Sequence, residues 1–165
     1  MKTSTVQVNR IPAWQRLWQA ATAWLLPGRC AICSARCDDP AALCAACRGD
    51  LVANLPCCAL CAEPLVQTEP ACGRCLRHTP PFVRSYAPLR YAWPLDGLVA
   101  RFKFSGDLAA GRTLARLFLE HARSDAIAMP PLLVPVPLHR QRLRIRGYDQ
   151  ALELARDIAA GLDDV

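Results

Sequence analysis

The chain has 165 residues, of which 53% are hydrophobic and 21% are charged. This composition is typical of a folded globular protein and excludes an intrinsically disordered chain. The length allows one domain or two small ones. The net charge of +6 comes almost entirely from arginine, because lysine occurs only at Lys2 and Lys103. Such a basic excess permits a nucleic acid, a nucleotide or another anion as partner without requiring one.

Residues 1–27 contain the first recognisable element. Tryptophan, leucine and alanine recur at helical spacing over residues 13–26, which predicts an amphipathic helix. Docking of this helix on the rest of the protein is favoured over a position on a membrane surface. Polar residues interrupt the apolar run, so the sequence predicts neither a secretory signal nor a membrane span. We therefore expect a cytoplasmic protein.

Ten cysteines follow within residues 30–75, and eight of them form a repeat. The spacing CxxC-x10-CxxC occurs twice, each position of the second copy lying 28 residues after its counterpart. The eight are Cys30, Cys33, Cys44, Cys47, Cys58, Cys61, Cys72 and Cys75. Two CxxC turns can present four thiolates to a tetrahedral metal, and four thiolates leave no coordination position open. The repeat therefore predicts two structural zinc ions in a double zinc ribbon over residues 28–76.

Three questions about the cysteines stay open in the sequence. A disulfide framework would need an oxidising compartment, and an iron–sulfur cluster normally uses other spacings, so both are less favoured than zinc. The repeat favours one zinc site in each copy, although pairing across the copies would also satisfy the ligand count. Cys37 and Cys57 lie outside the repeat and are interpreted as small buried residues.

The pattern changes after residues 77–82, where paired prolines predict a linker. Aromatic and β-branched residues over 82–93 then predict a strand or hairpin. Residues 94–104 and 108–124 predict two helices, the second of them capped by Asp107.

The last part of the chain adds a strand and a helix to this prediction. The short apolar run at residues 130–137 predicts a buried strand, and residues 149–162 predict an amphipathic helix. The order of strands and helices predicts an α/β fold with a parallel sheet, starting at residue 83.

Arginine occupies every second position between this strand and the last helix. On an extended backbone the four guanidinium groups would share one side, opposite Leu143 and Ile145. Taken alone, the pattern favours a solvated edge strand. Its place between a buried strand and a helix instead favours a loop that binds phosphate or pyrophosphate. The candidate residues are Arg140, Arg142, Arg144, Arg146 and Gly147.

Three stretches together resemble the ComF family of competence-associated proteins. They are the cysteine repeat, "RSYAPLRYAWPLDGLVARFKFSGD" and "LLVPVPLHRQRLRIRGYDQALELA". The resemblance implies a double zinc ribbon followed by the N-terminal part of a type I phosphoribosyltransferase-like domain, over residues 83–165. It implies that Leu138 to Tyr148 form the pyrophosphate loop with its four arginines and Gly147. Lys103 would face the same anion, and a solvated lysine is an equally good interpretation.

The resemblance also implies a role in DNA uptake, with single-stranded DNA or competence-machinery proteins as partners. Phosphoribosyl pyrophosphate, with Mg²⁺, would be a ligand only of a complete domain. The acidic pair followed by a Thr/Ser-Thr-Gly segment, which would hold the ribose phosphate, does not occur before Val165. We therefore expect no transferase activity from the chain as it stands. We also expect this sequence to be a fragment of a longer protein at least as much as a mature protein.

No catalytic residue is assigned from the sequence. His139 is interpreted as a neighbour of the phosphate rather than as a base. The alternative to a phosphoribosyltransferase-type protein is a non-catalytic zinc-ribbon module that binds nucleic acid or a protein partner, with salt-sensitive affinity in the nucleic-acid case.

Overall fold

The computed structural model describes residues 28–67 and 69–163, which contain six helices. Two short helices, α1 (Ala45–Gly49) and α2 (Gly73–Arg77), belong to the cysteine-rich region. The longer helices are α3 (Leu95–Phe104), α4 (Leu108–Ser124) and α6 (Gln150–Asp163), and the short α5 (Arg140–Arg146) precedes α6. The amphipathic helix predicted for residues 13–26 lies outside the described residues. None of the helices in the described part is long and apolar enough to cross a membrane.

Helix α4 is the centre of the helical region and packs against both α3 and α6. Two glycines let the helices come close together. A Cβ atom on Gly111 would lie 2.6 Å from the ring of Phe102 in α3, and one on Gly161 in α6 would lie 2.5 Å from Leu119. The three helices predicted from the sequence for this region are confirmed, because their apolar faces meet around α4.

The cap predicted at Asp107 is confirmed. Its carboxylate accepts a hydrogen bond from the Ala110 backbone N–H at 3.0 Å and another from Arg101 Nε at 3.0 Å. The Ala110 N–H is the main cause that lowers the pKa of Asp107 below its ordinary value, and Arg101 adds to it. The ionised carboxylate therefore stabilises the start of α4.

We expect Asp107→Ala to lower the free energy of unfolding by about 1–2 kcal/mol at neutral pH. Because the pKa is lowered in the folded protein, this stabilisation is complete above the pKa of the unfolded carboxyl and disappears as the pH falls through the folded pKa. Urea unfolding from about pH 7 to about pH 3 measures the difference. Asp107→Asn keeps an acceptor at the cap and serves as the control. A loss in Asp107→Ala that is the same at every pH would contradict the ionic origin.

The first cysteine copy is built into the helical core. Cys30, Leu43 and Cys47 form one buried cluster with Leu117 of α4. Arg48, next to Cys47, donates to Glu120 of α4 at 2.6 Å and to both carboxylate oxygens of Asp39 at 2.8 Å. Helix α4 therefore contributes to the same core as the first pair of cysteine turns.

Residues 52–54, between the two cysteine sets, join the second copy to the segment that leads to α3. The buried side chain of Asn54 donates to the carbonyl oxygens of Ala62 and Ala87 at 2.9 and 3.0 Å. Backbone bonds from Asn54 N–H to Pro88 and from Arg90 N–H to Val52 complete the contact. The strand or hairpin predicted for this segment is wrong. Its backbone groups pair with the cysteine-rich region through one isolated bridge, and no strand lies beside it among the described residues.

The buried strand predicted at residues 130–137 is also wrong within the described structure. The segment is not helical, and Leu132, Val134 and Val136 are 71–78% exposed. Four prolines within it lack the N–H donor that a central strand needs, and no described segment forms a ladder beside it. Residues 28–67 and 69–163 therefore do not form the parallel sheet that the sequence predicted.

Candidate functional site

The 28-residue sequence repeat is also a repeat of the backbone structure. Each copy opens with an isolated bridge, Arg29 to Arg36 in the first and Cys57 to Pro64 in the second. Ser34 and Ala62, immediately after each first CxxC, both adopt a positive φ, of 62° and 59°. Helices α1 and α2 begin one residue after the equivalent Cys44 and Cys72. Two copies of one fold therefore follow each other along the chain.

Each copy brings its four sulfur atoms together. The Sγ atoms lie within 4.8 Å of one another in each of two sets, Cys30, Cys33, Cys44 and Cys47, and Cys58, Cys61, Cys72 and Cys75. The grouping is sequential, one set within each copy, and not a cross-brace.

The distances between sulfur atoms suit a metal site. Cys33 and Cys44 Sγ are 3.6 Å apart, and Cys61 and Cys72 Sγ are 3.7 Å apart. Tetrahedral coordination with zinc–sulfur bonds of about 2.3 Å requires about 3.8 Å between sulfurs, whereas a disulfide requires about 2.05 Å. The two four-cysteine groups therefore fit two structural zinc ions, and every ligand position of each ion is filled by protein.

The surroundings of the sulfurs favour bound thiolates. Burial alone raises the pKa of the Cys30 thiol, but backbone N–H groups of Cys33, Cys44 and Ile32 outweigh it and lower the pKa to about 6. N–H groups of the Cys61 and Cys72 backbone likewise lower the pKa of Cys58 to about 6. Backbone N–H groups directed at sulfur stabilise the thiolate that zinc requires.

The fourth cysteine of each set shows the opposite shift. Burial, followed by the neighbouring sulfurs, raises the pKa of both Cys47 and Cys75. Four thiolates cannot be held this close without a compensating positive charge, because each raises the pKa of the next. A divalent cation supplies that charge, so the electrostatics of each set agree with its geometry.

The two cysteines outside the repeat do not join either set. Cys37 packs against the buried cluster around Leu117, and the backbone of Cys57 forms the bridge to Pro64. Both are partly buried and have free thiols. The packing of Cys37 agrees with its interpretation as a small packing residue, although neither side chain is fully buried.

The arginine segment is a helix and not the extended backbone that its alternating pattern favoured. Leu143 N–H bonds to the His139 carbonyl oxygen and Gly147 N–H to the Leu143 carbonyl oxygen, and Gly147 ends the helix in the left-handed conformation with φ 79°. The φ value explains why glycine occupies this position. His139 caps the start of the helix through a long contact of 3.4 Å from Gln141 N–H to its Nδ1.

Helical geometry divides the arginines into two pairs. Residues four positions apart lie on the same side of a helix, so Arg142 lies beside Arg146 and Arg140 beside Arg144. The pairs point in nearly opposite directions, because two residues correspond to a rotation of about 200°. The arrangement expected on an extended backbone, with all four guanidinium groups on one side, is therefore not formed. Leu143 and Ile145 are both exposed.

The end of α3 lies beside the end of α5. The Tyr148 hydroxyl donates to the Phe102 carbonyl oxygen, and the Arg146 guanidinium lies over the Phe104 ring, 5.2 Å from its centroid. Arg146 also donates to Gln150 Oε1 at 2.9 Å. Lys103 therefore belongs to a segment in direct contact with the arginine helix, and Lys103, Arg142 and Arg146 are together called the cationic surface.

Asp149 joins this helix to the extended segment before it. Its carboxylate accepts from Leu138 N–H at 3.0 Å and from Ala151 N–H at 3.0 Å. The N–H of Leu138 is the main cause that lowers the pKa of Asp149. The residue therefore stays ionised as an anchor of the loop and a cap of α6.

The sequence interpretation did not single out Phe104. It lies on the same helix as Phe102, two positions later, and a helix turns about 200° over two residues. One of the two rings must therefore face outward when the other is buried. This geometric signal was present in the sequence, but only the structure shows which ring is outside.

Comparison with known proteins agrees with the cysteine geometry. The family described as "Double zinc ribbon domain" matches residues 21–76. Competence protein F of Haemophilus influenzae is 38% identical over 77 residues, which are 44% of this chain and 34% of that protein. No solved structure shows a significant match.

Two further relatives are named differently from the first. The DNA utilization protein YhgH of Salmonella typhi and that of Salmonella typhimurium are each 33% identical over 88 residues, 51% of this chain. The match spans 39% of each, so this chain matches well under half the length of its curated relatives. The match to the double zinc ribbon family and the likeness to these competence and DNA-utilization proteins agree with the resemblance to the ComF family.

Proposed function

We propose that this chain acts in DNA uptake or DNA utilization by binding single-stranded DNA. The observation that carries the proposal is the cationic surface of Lys103, Arg142 and Arg146, where α5 meets the end of α3. Guanidinium groups bind phosphate oxygens in pairs of hydrogen bonds, and neighbouring cations on one helix side can follow a phosphate backbone. The names of the relatives, which refer to competence and DNA utilization, support the same partner.

The zinc ribbons have a structural part in this proposal. Each of the two four-cysteine sets leaves no open coordination position, so neither ion would bind a substrate directly. The first ribbon contributes Cys30 and Cys47 to the core beneath α4. By this route the ribbon supports the helices that carry the cationic surface.

The test measures binding of a labelled single-stranded 30-mer by fluorescence anisotropy at several salt concentrations. We expect the double variant R142Q/R146Q to bind at least tenfold more weakly than the parent chain at low salt. We also expect its plot of log affinity against log salt to be shallower by about 1.4, because about 0.7 is lost for each phosphate contact with a single strand.

A matched variant distinguishes DNA binding by this surface from DNA binding by the second ribbon. R77Q/R84Q removes the same charge from exposed arginines at and after α2 and should change the affinity less than threefold. Equal losses in both double variants would show that only net charge matters. A larger loss in R77Q/R84Q would move the binding surface to the second ribbon and contradict the proposal.

A second candidate function is binding of phosphoribosyl pyrophosphate by a type I phosphoribosyltransferase-like fold. It is favoured by the order of an extended apolar segment, a basic helix ending at Gly147, and α6. An apolar cavity of about 470 Å³ flanks that segment and is lined by Val136, Leu138 and Lys103, among others. A neighbouring strand of a sheet would cover such a surface. Displacement of the DNA by phosphoribosyl pyrophosphate with Mg²⁺, but not by ribose 5-phosphate, would favour this candidate.

A further inference from the structure

Phe104 is an exposed aromatic side chain at a position where an apolar residue has no packing role. It is 73% exposed, whereas Phe102, on the same helix, is 2% exposed and fills the core. Isolated apolar residues on a surface are common and need no explanation by themselves. The surroundings of this ring make it different.

The guanidinium of Arg146 covers one face of the Phe104 ring. Its carbon lies 5.2 Å from the ring centroid, which is within the range of a cation–π contact. Arg146 is held in place by Gln150, which is only 7% exposed and accepts its hydrogen bond at 2.9 Å. A buried side chain thus fixes the arginine against an exposed ring. With so much of Phe104 exposed, its second face is open.

Two further cations lie on the helices that carry this ring and its arginine. Lys103 precedes Phe104 in the chain, and Arg142 lies one helical turn before Arg146. A flat apolar ring beside several cations complements a flat base attached to phosphates, because each base of a single strand has phosphates on both sides. A paired base in a duplex offers no free face. A protein partner would be expected to need a wider apolar surface than one ring.

We propose that the open face of Phe104 stacks a base of single-stranded DNA, while Arg142, Arg146 and Lys103 bind the adjoining phosphates. Arg146 supports the ring from behind and adds its charge to the stack. This inference rests on the proposed DNA binding and names the residue that contacts the base.

The test compares two labelled 20-mers with the same number of phosphates, oligo(dT) and an oligomer of abasic tetrahydrofuran sites. We expect the full chain to bind oligo(dT) about tenfold more tightly, within the five- to 150-fold range of one stacked base. Phe104→Ala should remove this preference and leave binding of the abasic oligomer unchanged. Phe104→Trp should keep it.

Tyr91→Ala is the matched control. Tyr91 is 70% exposed and lies before the opposite end of α3, so its loss should leave the preference intact. Because both side chains are exposed, the thermal midpoints of the two alanine variants should equal that of the parent. A parent chain that binds both oligomers equally, or a Phe104→Ala variant that keeps the preference, would overturn the stacking site alone. Failure to bind either oligomer would overturn the DNA-binding function and the stacking site with it.

Discussion

Replacing Cys30 and Cys47 by serine is expected to unfold the helical part of the chain as well as the first ribbon. Both sulfurs belong to the buried cluster that includes Leu117, which is at the middle of α4. Bound zinc in small structural sites contributes about 10–16 kcal/mol to folding, more than the 5–15 kcal/mol by which a typical domain is stable. Loss of the first ion therefore removes the contacts of α4 on this side.

The measurements are zinc content, far-ultraviolet circular dichroism and hydrogen exchange along α4. C30S/C47S should hold one zinc ion instead of two, lose most of its helical signal and exchange the amides of α4 without protection. The control is C58S/C75S, which removes the equivalent ligands from the second copy. That copy contributes no cysteine to the buried cluster around Leu117 and contacts the segment around Pro88, so α4 should keep most of its protection.

The contrast between the two ribbons decides this prediction. Equal loss of helical signal in both double variants would mean that the ribbons unfold as one unit. A C30S/C47S variant that retains a protected α4 would show that the helices form a core of their own. Either result would contradict the coupling inferred from the buried cluster.

The second large effect is expected for Phe102→Ala, at about 3–5 kcal/mol of lost stability. The ring is packed against Gly111 of α4 so closely that a single Cβ there would overlap it. Tyr148 lies on another side, with ring centroids 5.7 Å apart. Removing the ring leaves a cavity between α3 and α4, and the rigid helix backbones cannot collapse far enough to fill it.

Phe104→Ala gives an internal standard for this prediction. The two substitutions remove the same atoms from the same helix, but Phe104 is exposed, so its loss should cost less than about 0.5 kcal/mol. Urea unfolding, monitored by circular dichroism, measures the loss of stability in both variants. Similar destabilisation by the two variants would contradict the packing described for α3 and α4.

The cysteine repeat shows how much a sequence alone can establish. Two CxxC turns at a set spacing constrain their sulfurs locally, so the offsets were enough to predict the eight ligand residues. They favoured the sequential grouping and left the cross-brace open. The structure shows the same sets with sulfur distances that fit zinc. The helices α3, α4 and α6 were equally predictable, because their apolar residues and the cap at Asp107 act within one helix.

Tertiary structure decided what depends on distant neighbours. An alternating pattern at residues 140–146 fits an extended chain, but a strand needs partners along its length and none is present in the described part. Local backbone hydrogen bonds therefore determine the conformation, and the segment is a helix with its arginines in two pairs. The docking of the first ribbon on Leu117, and the pairing of Phe104 with Arg146, also join residues more than 40 positions apart. Periodicity reports which face of a helix is apolar, and only the folded chain shows what covers that face.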